Sequence, residues 1–262
     1  NKTDDKGDML DGIAFKLTST SQTLRNTFNE QTITTNGGTA EFTGLHIGEY
    51  TLTETLPANS GYKAPSPATY TVKVEQPTQG ENKLKVTVTE STGTTDANRT
   101  AGIKDQTGEI RSLESTVDNN GTATVNIYNT PITGPIEFTK KDKDGRILKG
   151  IKFELWRKIN DGYDTAKVAE ATSDQDGKVT FTDIPYANYE LREVGGADGV
   201  KVKNIAVDKS NLTVTGTSPN ESFVYNTDND TNTIDVIKNT LNQASIKLTK
   251  QDQNGAPLDG VE

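Results

Sequence analysis

The feature that most constrains this chain is an internal repeat. The string TKKDKDGRILKG at residues 139–150 recurs as NKTDDKGDMLDG at residues 1–12 and as TKQDQNGAPLDG at residues 249–260. The shared pattern is K-x-D-x-x-G-x-x-L-x-G, and in the first two copies it runs on into G-I-x-F-x-L. A second block, FTGLHIGEYTLTE at residues 42–54, matches FTDIPYANYELRE at residues 181–193. A third, IYNTP at residues 127–131, matches IKNTL at residues 237–241. Asn129 precedes Lys140 by 11 residues, and Asn239 precedes Lys250 by the same 11. The chain therefore divides into one unit at residues 1–131, a second at 132–241, and the first strand of a third at 242–262.

Within the blocks, side chains alternate. Ile136, Phe138 and Lys140 share one parity, as do Tyr50, Leu52 and Glu54, and Tyr189, Leu191 and Glu193. Period two in segments rich in Val, Ile, Thr, Tyr and Phe predicts half-buried strands. The separators, such as Asn36-Gly37, Asp144-Gly145 and Asp176-Gly177, are turn chemistry. No helical stripe is sustained, apart from a short turn expected near residues 167–171. The expected fold is all-β, a rod-like array of tandem immunoglobulin-like antiparallel β-sandwiches. Glu54 and Asn129 are 75 residues apart, against 46 for Glu193 and Asn239. The extra segment, near residues 89–118, is polar and predicts an added hairpin or long loop with little core. The linkers, 130–135 and 240–244, are short and predict limited freedom between neighbours.

Composition narrows the chemistry. Only 31% of the 262 residues are hydrophobic, which favours thin modules over one large core. No stretch approaches the roughly 20 apolar residues of a bilayer span, so no membrane insertion is expected. A net charge of −9 sets the chain's field against nucleic acid. With no cysteine and one histidine, His46, neither disulfides nor thiol catalysis nor a zinc cluster is expected. No Ser/His/Asp set or phosphate loop can be assembled, so no conventional enzyme and no cofactor is expected.

The alternation nevertheless poses a problem. Lys140 continues the apolar face of Ile136 and Phe138, Glu193 that of Tyr189 and Leu191, and Asn239 follows Ile237. A strand-end position from which each reaches water is the simplest solution. The other solution is chemical. A lysine desolvated among apolar groups becomes a neutral nucleophile, and a carboxyl group beside it keeps its proton and polarises a carboxamide. Attack of the amine on the asparagine side chain then expels ammonia and leaves an uncharged amide.

The K-x-D-x-x-G-x-x-L-x-G-x-x-F-x-L opening, the F-x-x-(L/I)-x-x-x-x-Y-x-L-x-E block and the closing N-T resemble collagen-adhesin B-type domains. This family, also called CnaB or SpaA-type and prealbumin-like, builds Gram-positive surface adhesins and pilins. The resemblance implies an intramolecular isopeptide bond from Lys2 to Asn129 assisted by Glu54. It implies a second from Lys140 to Asn239 assisted by Glu193, and leaves Lys250 as the waiting lysine of the third unit. Asn226, in a similar V-Y-N-T context, is the alternative partner, and Asn239 is preferred for its 11-residue offset. The family's P-x-G-Y loop survives loosely as Pro57…Gly61-Tyr62 and is degraded across residues 195–200. The first unit also lacks counterparts of Ile136 and Phe138 ahead of Lys2.

The resemblance further implies a secreted, wall-anchored or pilus-borne stalk module whose partners are neighbouring domains of the same surface protein. The rival is an adhesin module in which segment 89–118 grips a host matrix protein or glycan. Three weaker signals are read as structure. Asp142 to Gly145 and Asp174 to Gly177 are turns rather than calcium loops, and His46 is a surface residue. Trp156, of opposite parity to Leu155, is placed at a domain junction or an exposed face.

Overall fold

The computed structural model describes residues 1–21, 28–77, 79, 82–91, 95–142, 144–159, 162–195, 204–225 and 236–239. Strands β1 (Lys2–Asp4), β2 (Ala14–Ser19), β3 (Gln31–Thr34), β4 (Gly48–Thr55) and β5 (Thr69–Glu75) open the first unit. They are followed by β6 (Lys85–Glu90), β7 (Ala101–Asp105), β8 (Gly108–Ile110), β9 (Ser112–Thr116) and β10 (Asn126–Asn129). One sheet has the order β3-β2-β4-β5-β6-β9 and faces a second of order β1-β10-β7-β8. Phe15, Leu17, Tyr50, Leu52, Tyr70, Val72, Ile103 and Ile127 fill the space between them.

The second unit repeats the plan with β11 (Thr133–Asp142), β12 (Lys152–Ile159), β13 (Gly162–Tyr163), β14 (Ala169–Thr172) and β15 (Lys178–Pro185). It continues through β16 (Tyr189–Gly195), β17 (Asn204–Val207), β18 (Leu212–Thr215), β19 (Ser222–Tyr225) and β20 (Val236–Asn239). Sheets β13-β12-β16-β17, with β14 also on β12, and β15-β11-β20 enclose Ile136, Phe138, Phe153, Leu155, Tyr189 and Leu191. Among the described residues the helical content is two single turns, Asp96–Asn98 and Lys209–Asn211. The fold is all-β among the described residues.

One pair per unit departs from the antiparallel expectation. β1 runs parallel to β10, and β11 runs parallel to β20. Parallel neighbours need a long crossover, and here nearly the whole unit is that crossover. The unit thereby brings its first and last strands side by side.

The repeated opening motif explains itself locally. Asp4 Oδ1 accepts hydrogen bonds from the Lys6 and Asp8 amides, at 2.8 and 3.0 Å. Asp142 Oδ1 does the same for Asp144 and Arg146, at 2.9 and 2.8 Å. The glycine of each turn, Gly7 or Gly145, has φ of +96° or +85°, a conformation costly for other residues. Asp174 Oδ1 likewise caps its turn through Asp176 and Lys178, so these aspartates are occupied as turn caps.

Two expectations are corrected. Residues 169–172 form strand β14 on β12 instead of a helical turn, because Ala169 and Ala171 pack on the second core. Segment 89–118 contributes real core. β7 pairs with β10, β9 pairs with β6, and Ala101 and Ile103 are fully buried. The polar residues of β9 alternate outward, whereas Ala101, Gly102 and Ile103 of β7 are all buried. In the first unit residues 40–47 form no strand, whereas β15 pairs with the longer β11. A cavity of about 670 Å³, lined by Phe15, Leu17, Phe42, Leu52 and Val72 among others, opens beside them.

Because Ile103 on β7 is opposite Ile127 of β10 and fully buried in the first core, Ile103→Ala should destabilise the first unit by about 2–5 kcal/mol. Hydrogen exchange should show faster exchange of β7 and β10 amides while the amides of the second core stay unchanged. Unchanged protection of β10 would refute this role.

Candidate functional site

β1 and β10 place Lys2 opposite Ile127 and Asp4 opposite Asn129 in register. On the facing sheet β2 and β4 pair Phe15 with Glu54. The alternation that buries Tyr50 and Leu52 carries Glu54 inward, and the same parity turns Lys2 and Asn129 towards it. Lys2 and Asn129 are 0% exposed and Glu54 3%.

Inside this pocket the three side chains satisfy one another. Lys2 Nζ donates to Asn129 Oδ1 at 2.6 Å. Asn129 Nδ2 donates to Glu54 Oε1 at 2.6 Å, and the same oxygen is 3.0 Å from Lys2 Nζ. The Phe15 ring centroid is 6.0 Å from Nζ. Burial pulls the Lys2 ammonium down to about 8, and the Glu54 charge only partly offsets that shift. A fraction of the neutral amine is therefore accessible near neutral pH, next to a carboxamide.

The second unit repeats the backbone register. Lys140 is opposite Ile237 and Asp142 opposite Asn239, matching Lys2 with Ile127 and Asp4 with Asn129. Phe153 pairs with Glu193 as Phe15 pairs with Glu54. Lys140 is 0% exposed, Glu193 4%, and Lys140 Nζ is 3.8 Å from Glu193 Oε2. The description of Asn239 extends to its backbone. Lys250, Asn226 and residues 242–262 lie outside the described residues.

Other singled-out residues are elsewhere. His46 is exposed, and its backbone is tied to the Tyr50 hydroxyl, which donates to His46 O at 2.8 Å. Tyr189 makes the corresponding bond to Pro185 O. Trp156 is on the outer face, with the Arg192 guanidinium 4.5 Å from its ring centroid.

Sequence reasoning missed two residues. Tyr70, opposite Leu52 in register, is almost fully buried, and burial together with the Glu54 and Glu90 charges pushes its phenol far up. Ile205 is opposite Leu191 in the second unit, so the tyrosine is peculiar to the first. Arg157 is 2% exposed and pairs with Asp4 and Asp8 of the first unit. The signal was there, since Arg157 continues the inward parity of Phe153 and Leu155.

A variant in which no cross-link can form isolates the lysine. In Asn129→Ala, the Lys2 amine should titrate near 8 by ¹⁵N-detected NMR, against 10.5 for an ordinary lysine. Below 8 both folded and unfolded states hold the proton, and the cost of burying the charge is felt in full. Between 8 and 10.5 the unfolded chain binds more protons, so the stability of this variant rises with pH across that window. A titration at 10 or above would contradict the desolvated pocket.

A family model described as SpaA, prealbumin-like fold domain, matches residues 1–92 and 134–222, more than half of the chain. Among solved structures, the Bacillus anthracis TIE protein is similar at 17% identity, over 98% of this chain and 39% of that one, with a TM-score of 0.36. GBS52, the minor pilin of Streptococcus agalactiae, is similar at 15% identity over 93% and 89%, with a TM-score of 0.32. The C-terminal fragment of the pilus adhesin SpaC from Lactobacillus rhamnosus GG gives 15% over 95% and 97%, with a TM-score of 0.35. The chain thus spans about two fifths of the length of the first of these. Comparison with curated proteins returns no match.

Proposed function

The chain belongs to the SpaA family of prealbumin-like fold domains, and from that premise we propose that it is a stalk module of a Gram-positive surface adhesin or pilus whose units close themselves with Lys–Asn isopeptide bonds. The observation that supports this most is the buried contact of Lys2, Asn129 and Glu54, with every pairwise separation at 3.0 Å or less. The units are residues 1–131 and 132–241, with a third beginning at 242–262.

The reaction needs no external reagent. Glu54 Oε1 is within proton-transfer distance of both Lys2 Nζ and Asn129 Nδ2. It accepts a proton from the amine, leaving a neutral nucleophile beside a neutral acid. Nζ attacks Asn129 Cγ, the Nζ–Cγ bond forms, and the carboxyl proton passes to Nδ2. The Cγ–Nδ2 bond breaks and ammonia leaves. The second proton lost by Nζ returns the carboxyl group to its acid form, and the ammonia escapes to solvent. The fold supplies the proximity that an ordinary lysine and asparagine lack. Catalysis is a single self-directed turnover. Lys140, Glu193 and Asn239 do the same in the second unit by virtue of the shared register, and Lys250 waits for partners in the third.

The consequence is mechanical. Each bond joins the first strand of a unit to its last, so tension on the termini follows a covalent path and the residues between are shielded. By the chain-entropy relation for disulfides, closing a loop of about 100 residues stabilises by about 4.7 kcal/mol. Unlike a disulfide, the link survives reductants. Secretion and display at the wall or on a pilus follow from this reading, and the partners are neighbouring domains of the same assembly. A grip on host matrix or glycan by segment 89–118 has less support, because β7 and β9 are woven into the two sheets.

Intact-protein mass spectrometry decides the matter. The chain should weigh two ammonia molecules less than its sequence. Glu54→Ala and Glu193→Ala should each restore one, and the double variant both. A full sequence mass for the unmutated protein would sink the reading.

A further inference from the structure

We infer that Arg157 of the second unit is a positioning residue for the Lys2–Asn129 bond of the first, so that closure of the first unit depends on docking of the second. The inference rests on the cross-linking reading above and adds to it an order of events.

β1 is three residues long, and one of them, Lys2, is the nucleophile. Its far end is Asp4, opposite Asn129 in register and 1% exposed. Asp4 Oδ1 is engaged in capping the following turn. Its Oδ2 receives Arg157 Nη2, which also lies 3.0 Å from Asp8 Oδ2. A carboxylate at this depth with no cation would be strongly destabilising. The cation that satisfies it comes from the other unit.

The second unit makes the contrast. Asp142 is the counterpart of Asp4, and Arg146 stands where the first unit has Asp8. Arg146 Nε is 3.9 Å from Asp142 Oδ2, so that opening turn carries its own cation. The first unit carries a second acid instead and takes its cation from β12.

The docking that delivers Arg157 is built into the junction. Lys63 N donates to Thr130 O at 3.0 Å, Ile132 N to Gly61 O at 3.0 Å, and Tyr186 N to Ile132 O at 2.9 Å. The Tyr62 and Tyr186 rings meet edge to face at 6.2 Å. Gly61 has φ of +81°, and a Cβ there would come within 2.2 Å of the Tyr186 ring. The surviving Pro57…Gly61-Tyr62 loop therefore serves as the seat for the second unit. Tyr62 and Tyr189 lie close to the ion cluster: Arg157 and Asp4 act electrostatically on both phenols, and Asp8 on that of Tyr62.

The test is a time course of cell-free synthesis of the full chain, quenched in acid and digested, scoring the cross-linked peptide of each unit. In Arg157→Ala the first-unit bond should form at least about tenfold more slowly, since small misplacements of reacting groups are costly in rate. The second-unit bond should form at the wild-type rate. Arg157→Lys, which keeps the charge, should recover part of the first-unit rate, which a purely steric role would not do. A wild-type first-unit rate in Arg157→Ala overturns the inference. If that variant slows both bonds, Asp8→Asn decides, because it leaves the second unit untouched. Slowing confined to the first unit then supports the inference, and wild-type rates at both units overturn it. A wild-type chain that never loses ammonia removes the cross-linking reading itself, and this inference with it.

Discussion

A lysine and a glutamate held away from water persist only where each satisfies the other, and the rest of the first unit is arranged around that condition. Removing one member of a buried pair typically costs about 3–5 kcal/mol, because the survivor is left charged and alone. Lys2, Glu54 and Asn129 avoid this by sharing hydrogen bonds in a pocket floored by Phe15 and Leu52. The arrangement has a chemical exit as well. Once the amine and carboxamide have joined, no cross-linked side chain carries a charge. On the proposed reading, the cost of burying a cation is what makes the amine reactive, and the reaction would relieve it.

That condition dictates topology. A nucleophile on the first strand and an acceptor on the last must be neighbours, which demands a parallel pair with the unit's own length as crossover. The acid must come from the opposite sheet, which fixes the inward parity of β4 and of β16. The aspartate-capped turn after β1 then returns the chain so that β2 can lay Phe15 against Glu54. In the second unit the same three requirements are met by the matching residues Asp142, Phe153 and Glu193 on the recurring blocks, while the material between the blocks diverges.

Much of this was legible because it is periodic. Alternation identified the strands and turned Lys140 and Glu193 inward, and the repeated blocks matched Lys2, Glu54 and Asn129 to Lys140, Glu193 and Asn239. Three features escaped for identifiable physical reasons. Parallel pairing of the first and last strands leaves no local trace, since register between distant segments is set by the whole fold. Segment 89–118 reads as an added hairpin or long loop with little core because it is polar; β7 and β8 do form a hairpin, but Ala101 and Ile103 within it are fully buried. Arg157 obeys the inward parity of Phe153 and Leu155, but its partners, Asp4 and Asp8, belong to the other unit, and local alternation carries no trace of them. It reaches out of its own sheet to the opening turn of the first unit.

That last residue changes how the array is to be understood. Units closed separately and strung on short linkers would have independent chemistries, and their order would not matter. Here the linker residues are hydrogen-bonded to both sides, and the cation that neutralises Asp4 belongs to the next unit. The first unit carries Asp8 at the position where the second carries Arg146, so the two opening turns are not interchangeable at a junction. With the order reversed, the following unit would offer Ser19 where the second unit offers Arg157, and Asp142 would keep only its own, largely exposed Arg146. On the proposed reading, the contact that neutralises Asp4 also holds the strand on which covalent closure would depend, so the junction and the chemistry of the first unit are coupled.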